Sequence, residues 1–359
     1  CYGKSGKGLG GASGALGGDA SAMSSNPAGL GIYRSSEVVG TLSLSSIDTK
    51  SNWNGNVSKD DKSKLSFDNF SYVGYFPTAN ESGIMSWNIG LSYNRLKNFN
   101  RNYRLSGSQA YSLADYAADI SYGIHENDLI YVKDSYDPYN NPNNPWMSVL
   151  GYEAGYFGSF LNDRSSYHSG FGTSNATGDI WYADSPQNTT LNVSEKGAVD
   201  QYNFAFATNI SNSVFLGATL AVTDINYSIS SIYDERFEGG DYLYLDNGLT
   251  TEGTGYSFNL GAIVRPVDFL RMGVAYNSPT WYKMTDYFHA EAGTDIAQYN
   301  PSKMDASTPD KVYADYKLRT PDKWIFSAAA VIGQYGLLSV DYELTNFKGM
   351  RLKDVNDRE

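Results

Sequence analysis

The sequence predicts an all-β fold, a transmembrane antiparallel β-barrel, on three observations. About nine segments alternate apolar with small polar residues at period two. The links between those segments are alternately long and short. Nowhere is there a run of roughly 18 apolar residues from which a spanning helix could form.

Composition removes several other classes. Hydrophobic residues make up 41% of the 359 and charged residues 18%, with 30 Tyr and 36 Gly. Charge that sparse, beside the roughly 25% of an ordinary soluble chain, fits neither a disordered chain nor a helix-rich one at this apolar content. With 27 Lys+Arg against 39 Asp+Glu the net charge is -12, so nucleic acid is not an expected partner. A single Cys excludes a disulfide framework and a thiolate cluster. His125, His168 and His289 stand far apart in no metal-ligand spacing, so neither a metal nor a cofactor is expected. Cys1 reads as the point where the sequence begins or as a lipidated N-terminus. No signal peptide is visible, which is compatible with one removed on export.

The strands follow from the alternation. From Met85, the positions Met85, Trp87, Ile89, Leu91 and Tyr93 are apolar or aromatic, while Ser86, Asn88, Gly90, Ser92 and Asn94 are small or polar. Side chains alternate faces along a strand, so one face is greasy and the other small and polar. The same division runs through Val38 to Leu44, Tyr202 to Phe206, Val214 to Val222, Phe258 to Val264, Leu270 to Tyr276, Trp324 to Ile332 and Leu338 to Leu344, with a less regular strand near Phe70 to Phe76. Trp324 to Val340 is uncharged throughout, but Gly333, Gln334, Tyr335 and Gly336 divide it as a hairpin turn would.

Alternating strands suit a soluble sandwich or a membrane barrel. The links separate the two. Those at 48 to 65, 97 to 198, 229 to 252 and 285 to 312 are long, and those at 77 to 84, 211 to 213, 265 to 269 and 333 to 336 are short. Tight turns then fall on one side and elaborate loops on the other, as in outer-membrane barrels. A Greek-key sandwich has no reason to sort them so. The polar face carries few charges, among them Arg271, Asp341 and Glu343, and small neutral residues suit a lumen filled by something other than water. A Lys or Arg facing lipid at mid-depth costs roughly 2 to 4 kcal/mol, and no greasy position carries one. Tyr33, Tyr227, Trp281 and Tyr282, near strand ends, read as an interfacial girdle or as loop packing.

Residues 3 to 31 suggest what fills the lumen. They run GKSGKGLGGASGALGGDASAMSSNPAGLG, dense in Gly, Ala and Ser with no strand period. No P-loop pattern occurs, and the stretch follows no strand as a dinucleotide loop must. The segment reads as a flexible tail or as a compact plug inside the barrel, where close backbone approach needs glycine.

Leu9-Gly10-Gly11-Ala12, the Ala-rich turn ending at Asp19, and Asn26-Pro27-Ala28-Gly29-Leu30 before the first strand resemble the hatch of the FadL family, bacterial outer-membrane transporters of long-chain fatty acids and other hydrophobic compounds. Asp19 to Ala28 is similar to versions from Bacteroidetes. Met272 to Pro279 is similar to the family's strand-seven motif and Leu318 to Trp324 to its strand eight, so the resemblance covers nearly the whole chain. It implies a fourteen-stranded barrel in a Gram-negative outer membrane, with residues 1 to 35 as a hatch tipped by Asn26, Pro27, Ala28 and Gly29, and 36 to 359 as barrel. It also implies a hydrophobic pocket in the lumen, passive uptake, and lateral exit to the bilayer beside a kink in strand three. The kink is expected at Gly90, with Tyr93 and Asn94 beside it, because glycine lacks a side chain to hold the ladder straight. Nine strands fall short of fourteen by on the order of 100 to 150 residues, so the chain is expected to be incomplete at its C-terminus.

The link from 97 to 198 is too long to be structureless. Ser112 to Tyr122 and Pro145 to Phe157 read as short helices in this large extracellular loop, the second with Asn144 as cap and Pro145 at the first helical position. Trp146, Met147, Val149, Leu150 and Phe157 form either the loop's own small core or a greasy groove for a hydrophobic ligand such as a fatty acid or detergent. Outer-membrane lipid and lipopolysaccharide are the other expected partners, and the protein is expected to be a monomer. Catalysis would draw on His125 with Glu126 and Asp128, or His168 with Ser165 and Ser166, which nothing in the spacing aligns, so no catalytic residue is assigned and no enzyme is expected. Two alternatives to transport stay open, a subunit of a secretion or surface-attachment complex and a lipid deacylase.

Overall fold

The computed structural model describes residues 14–132, 134–175, 181–332 and 336–354. Cys1, Leu9-Gly10-Gly11-Ala12 and the Gly333-Gln334-Tyr335 turn lie outside the described residues. Nine strands follow one another in sheet order, each antiparallel to the next: β1 (Glu37–Trp53), β2 (Asn56–Pro77), β3 (Ile84–Asn98), β4 (Asn188–Ile210), β5 (Val214–Arg236), β6 (Tyr242–Val267), β7 (Leu270–Asn277), β8 (Asp322–Ile332) and β9 (Gly336–Asn346). They are the nine segments whose alternation the sequence displays. Among the described residues β1 and β9 do not pair with each other, so the wall is open there. Among the described residues, no helix is long and apolar enough to cross a membrane.

Several strands continue past an interruption. β3 resumes after Phe99 and Asn100 as Arg101–Gly107, still paired with β4. β7 resumes after Ser278-Pro279-Thr280 as Trp281–Asp295, still paired with β6. Tyr316–Arg319, ahead of β8, pairs with Arg351–Lys353, beyond β9. Pro279 and Pro321 sit in two of these gaps, because proline has no N–H to give to the ladder.

The apolar face points outward. Ile89, Phe206, Ala218, Leu260, Tyr276, Trp324 and Leu344 form one register row across β3 to β9. Phe206, Leu260 and Trp324 in that row are 46%, 49% and 44% exposed, so no second sheet covers them and a sandwich is excluded. The opposite face is shut: Asn88, Ala207, Thr219, Ile263 and Ala275 are buried. It encloses the segment before β1.

The greasy band is much shorter than the strands. Outward positions of β5 are apolar from Val214 to Val222 and then become Asp224, Asn226, Ser228 and Ser230. That apolar stretch matches the roughly 9–11 residues with which a tilted barrel strand crosses a bilayer. The full 23 residues of β5 reach roughly 75 Å at about 3.3 Å per residue. The links expected at 48 to 65 and 229 to 252 are therefore not loops. The ladder runs unbroken to Trp53 opposite Asn56 and to Arg236 opposite Tyr242. Asn54 and Gly55, with φ of 49° and 89°, make the first of these turns in the left-handed conformation that an Asn-Gly hairpin supplies. The expected link at 285 to 312 is likewise mostly ladder, through Trp281–Asp295 and Lys303–Ser307.

A cap seated on the strand tips contains α1 (Leu113–Ile120) and α2 (Trp146–Glu153). Ser112 and Asp115 close a capping box on α1. On α2 the cap position is Pro145 rather than Asn144, whose amide instead donates to the Asp128 carbonyl at 2.7 Å. The helix ends at Glu153, and Phe157 begins the short strand Phe157–Phe160. Val149, Leu150, Tyr156 and Phe171 pack there on Phe237, Leu243 and Ala290 of the β5–β6 turn and the β7 continuation. Glu235, fully buried, accepts from the Leu113 N–H at 3.0 Å and from the Ser112, Gln109 and Tyr233 side chains. Within the cap, the Ser159 hydroxyl, at 2.5 Å, and the Arg164 guanidinium, at 3.0 Å, hold the Glu126 carboxyl below the usual carboxylate range.

Replacing Glu235→Ala strands those donors, at a cost of about 1–3 kcal/mol. Limited proteolysis should then cut residues 108–187 faster while the wall remains resistant. Because folding lowers the Glu126 pKa, its contribution is whole above the unfolded value of about 4.3 and is lost as pH falls through the folded one. Hydrogen exchange in residues 157–169 should accelerate below that pH in the native chain and show no such added step in Glu126→Gln.

Candidate functional site: the plugged lumen and its cavities

Residues 14–33 lie inside the wall. Asp19 caps the 3-10 turn Ala20–Met23, accepting from the Ser21 N–H at 2.8 Å. Asn26 caps the next, Pro27–Ile32, accepting from the Ala28 N–H at 3.2 Å. Pro27 holds the first position of that turn, where an N–H would have no partner to lose. Asn26 also donates to the Gly14 carbonyl at 2.8 Å and so joins the two ends of the plug. Ala15, Met23, Ala28 and Leu30 have no exposed surface. This part of the segment is a plug and not a tail.

The wall makes room for it by lacking side chains. A Cβ added at Gly217 of β5 would lie 2.3 Å from the Pro27 carbonyl carbon, and one at Gly261 of β6 would lie 2.0 Å from Asn26 Oδ1. At Gly90 of β3 it would lie 2.8 Å from Met23 Sδ. Gly29 backs onto Gly17 and Ala22 within the plug itself. Asn26, Pro27 and Ala28 thus meet a glycine-lined wall, which the sequence analysis did not foresee. Its signal was present: Ile89-Gly90-Leu91, Leu260-Gly261-Ala262 and Met272-Gly273-Val274 each place glycine at an inward position between outward apolar residues.

The ladder of β3 is not broken at Gly90, where a kink was expected. Its register with Val73 and Ala205 is unbroken. The shifts in β3 fall between Ile84 and Ser86 and between Arg95 and Lys97, the second close to the gap at Phe99 and Asn100. Nor do the three expected residues share a site. Tyr93 points outward and donates to Asp200 Oδ1 at 3.0 Å, where Arg95 Nε also binds at 2.9 Å. Asn94 points inward, accepting from Asn69 at 2.6 Å and donating to Ser92 at 3.1 Å.

Two of the three charges noted on the polar face hold the plug. Arg271 Nη1 donates to the Leu16 carbonyl at 2.6 Å, and Asp341 accepts from the Gly14 N–H at 3.0 Å. Glu343 instead pairs with Lys323 at 2.8 Å. Asn259 and Asn277 reach the Ser24 carbonyl at 3.4 and 3.3 Å. Of the four aromatics near strand ends, Trp281 faces outward and is 45% exposed. Tyr33 is buried and donates to Glu37 at 2.7 Å, and Tyr227 packs edge-on against Phe99 at 4.9 Å. Tyr282 also faces the lumen, lying where a side chain on Gly255 would go.

Two cavities lie above the plug. One of about 710 Å³ occupies the lumen, lined by Ile47, Phe99, Ile225, Tyr227, Met284 and Tyr316 among others, and it borders the β3 gap. The other, about 690 Å³, lies in the cap between Tyr139, Pro145 and Trp146 on one side and Phe288, Pro309 and Tyr313 on the other. Of the five residues expected in a groove, only Trp146 lines it, with its ring 5.0 Å from that of Phe288. Met147, Val149, Leu150 and Phe157 are buried in the core of the cap. An eight-residue helix seated on strand tips needs that side for its own anchorage.

The histidines are engaged elsewhere. His125 Nδ1 accepts from the Asn127 N–H at 3.2 Å, His168 lies against Trp181 at 4.1 Å, and the Ser166 hydroxyl donates to Asp163 at 2.5 Å. Among the described residues, no cluster of three His, Cys, Asp or Glu could hold a metal.

No family model matches the chain, and no curated protein matches it. Among solved structures, the Ralstonia pickettii toluene transporter TbuX is similar with a TM-score of 0.45 and 13% identity, over 99% of this chain and 75% of that one.

Changing Gly217→Ala should push the plug off β5. Hydrogen exchange of residues 14–32 should rise on the order of tenfold while the ladder of β5 stays protected. Gly40→Ala, where an added Cβ meets nothing within 4 Å, should leave both unchanged.

Proposed function

We propose that this chain is an outer-membrane channel for hydrophobic small molecules, with long-chain fatty acids the class suggested by its hatch resemblance. One observation carries the reading. Rows of large apolar side chains stand exposed around a wall whose inner face is packed against a plug. Contiguous exposed apolar surface on this scale belongs against another apolar phase, and a plugged lumen is the arrangement of a regulated passage and not of an open pore.

The passage is passive. An apolar molecule leaves water for the cap cavity at Trp146 and Phe288, moves to the lumen cavity, and departs sideways into the bilayer where β3 loses its regular ladder, at residues 95–100. Selectivity follows apolar area, about 25 cal/mol per Å² buried, so longer chains are held more tightly. The plug is held by hydrogen bonds worth about 0.5–1.5 kcal/mol each, a scale on which it can shift without unfolding the wall.

Cells carrying the chain in their outer membrane should take up a labelled fatty acid faster than cells lacking it, with no gain for a hydrophilic solute of similar size. Gly90→Leu, which collides with Met23 and Leu30, should change fatty-acid uptake several-fold at equal amounts of folded protein. Equal uptake with and without the chain would overturn the proposal.

A further inference from the structure

Strand β3 changes the side it presents once along its length. Up to Arg95 its odd-numbered positions face outward, and Arg95 stands opposite Asp200. One residue, Leu96, is then inserted, and Lys97 stands opposite Val199. Val199 alternates in step with Asn203 and Ala205, which are buried on the inner side of β4. A bulge re-aims the side chains that follow it. Here it turns Lys97 into the lumen, where the unbroken alternation of β3 would have left it among the exposed outer residues.

From Lys97 one register row runs through Val199, Ile225, Gly253, Met284 and Tyr316. Lys97, Ile225, Met284 and Tyr316 of that row line the lumen cavity of about 710 Å³. Such a volume lies inside the range of roughly 300–1,000 Å³ usual for small-molecule pockets, which are mostly apolar with a few placed polar groups. The other charges near the cavity are engaged. Arg101 and Glu195 pair at 2.7 Å, and Asp286 accepts from the Thr251 and Tyr316 hydroxyls at 2.6 and 3.3 Å. Lys62, across the ladder from Ile47, donates to the Asn102 side chain at 2.8 Å. Among the described residues Lys97 makes no hydrogen bond and no ion pair.

We infer that Lys97 is the specificity-determining residue of the lumen cavity, and that it binds the carboxylate head of an amphiphile whose tail lies along Phe99, Ile225 and Met284. The inference rests on the reading of the chain as a channel for hydrophobic molecules and names the head group that this channel selects. A wholly apolar ligand would cover the ammonium and strip it of water with nothing in return. A carboxylate instead makes a charge-assisted hydrogen bond with it. Lysine also suits a ligand in transit, because its compact charge on a flexible stem can follow a moving head.

The test compares dodecanoate with dodecanol, which share a tail and differ in the charge of the head, by their affinity for the purified chain. Lys97→Gln should weaken dodecanoate on the order of tenfold and leave dodecanol unchanged. Lys97→Arg should keep the native affinity for both, as should Lys50→Gln, which removes a cation from the outer face of the β1–β2 hairpin. A second measurement needs no variant: dodecanoate should protect Lys97 of the native chain from a water-soluble acetylating reagent several-fold better than dodecanol does, with Lys50 labelled equally in both. Equal protection by the two ligands overturns the inference, and so does a folded Lys97→Gln chain that binds dodecanoate as the native one does. In either case, binding of both ligands leaves the channel reading standing. A native chain that binds neither sinks the two together.

Discussion

The backbone of Asn26-Pro27-Ala28 runs so close to β5 and β6 that neither strand has room for a side chain there. Gly217 and Gly261 face each other across the ladder at that point. With most of its inner positions around the plug reduced to Gly, Ala, Ser, Thr and Asn, and only a few larger ones such as Val73, Phe215 and Ile263, the wall completes a core there only together with Met23, Ala28 and Leu30 of the plug. The enclosed volume must be filled by another segment, itself small enough to approach. Most of the bulk that makes a strand cohere at this level, Trp, Phe, Leu and Tyr, is then displaced to the outer face. The alternation in this sequence is one of size as much as of polarity.

From that arrangement the rest of the wall follows. Apolar rows cover only part of the outward face of each strand, and beyond it the same hydrogen-bonded ladder continues with polar residues outward. The long hairpins are thus extensions of the sheet. Their tips give the cap a floor, where Phe237, Leu243 and Ala290 complete a core that the cap's short helices could not form alone. Glu235 ties that floor to the start of α1 through its hydrogen bonds to the Leu113 N–H and the Ser112 hydroxyl.

The sequence disclosed all nine strands and the plug, because both are written in local patterns: period two in one case, a run of small residues ending in Asn-Pro-Ala in the other. It did not disclose where the strands end. Beyond Val222 and Leu44 the outward positions turn polar while Ile225, Tyr227 and Ile47 face the lumen cavity, so the outward apolar period is lost while the backbone pairing persists. Gly90 shows a second limit. A strand glycine serves equally for a bend or for the close approach of another segment, and only the neighbour, here Met23, decides. In α2 the residues were identified and their direction was not, since five apolar residues at near-helical spacing describe a core and a groove alike. Only the position of the strand tips beneath the helix separates the two.

The irregular part of β3 brings backbone and side chains into opposition. Between Arg95 and Lys97 the ladder to β4 loses its register, and a few residues on, the regular strand stops at Phe99 and Asn100, where the Phe99 N–H still donates to the Gly197 carbonyl at 3.1 Å. At that place Arg95 grips Asp200 through Nε and Nη2, and Tyr93 adds its hydroxyl to the same carboxylate. Side chains on the outer surface thus close a seam that backbone bonds leave weak, with the lumen cavity directly behind it. Elsewhere, parting two strands means breaking a succession of backbone hydrogen bonds of about 0.5–1.5 kcal/mol each. Here the register shift thins that succession, and a partly exposed ion pair, in a class worth about 0–1 kcal/mol, and the Tyr93 hydroxyl supplement the backbone bonds that remain, Phe99 N–H to the Gly197 carbonyl among them. If a molecule in the lumen cavity is to pass sideways, the least work lies at this clasp and not at Gly90, where the ladder is whole and the plug is pressed against it.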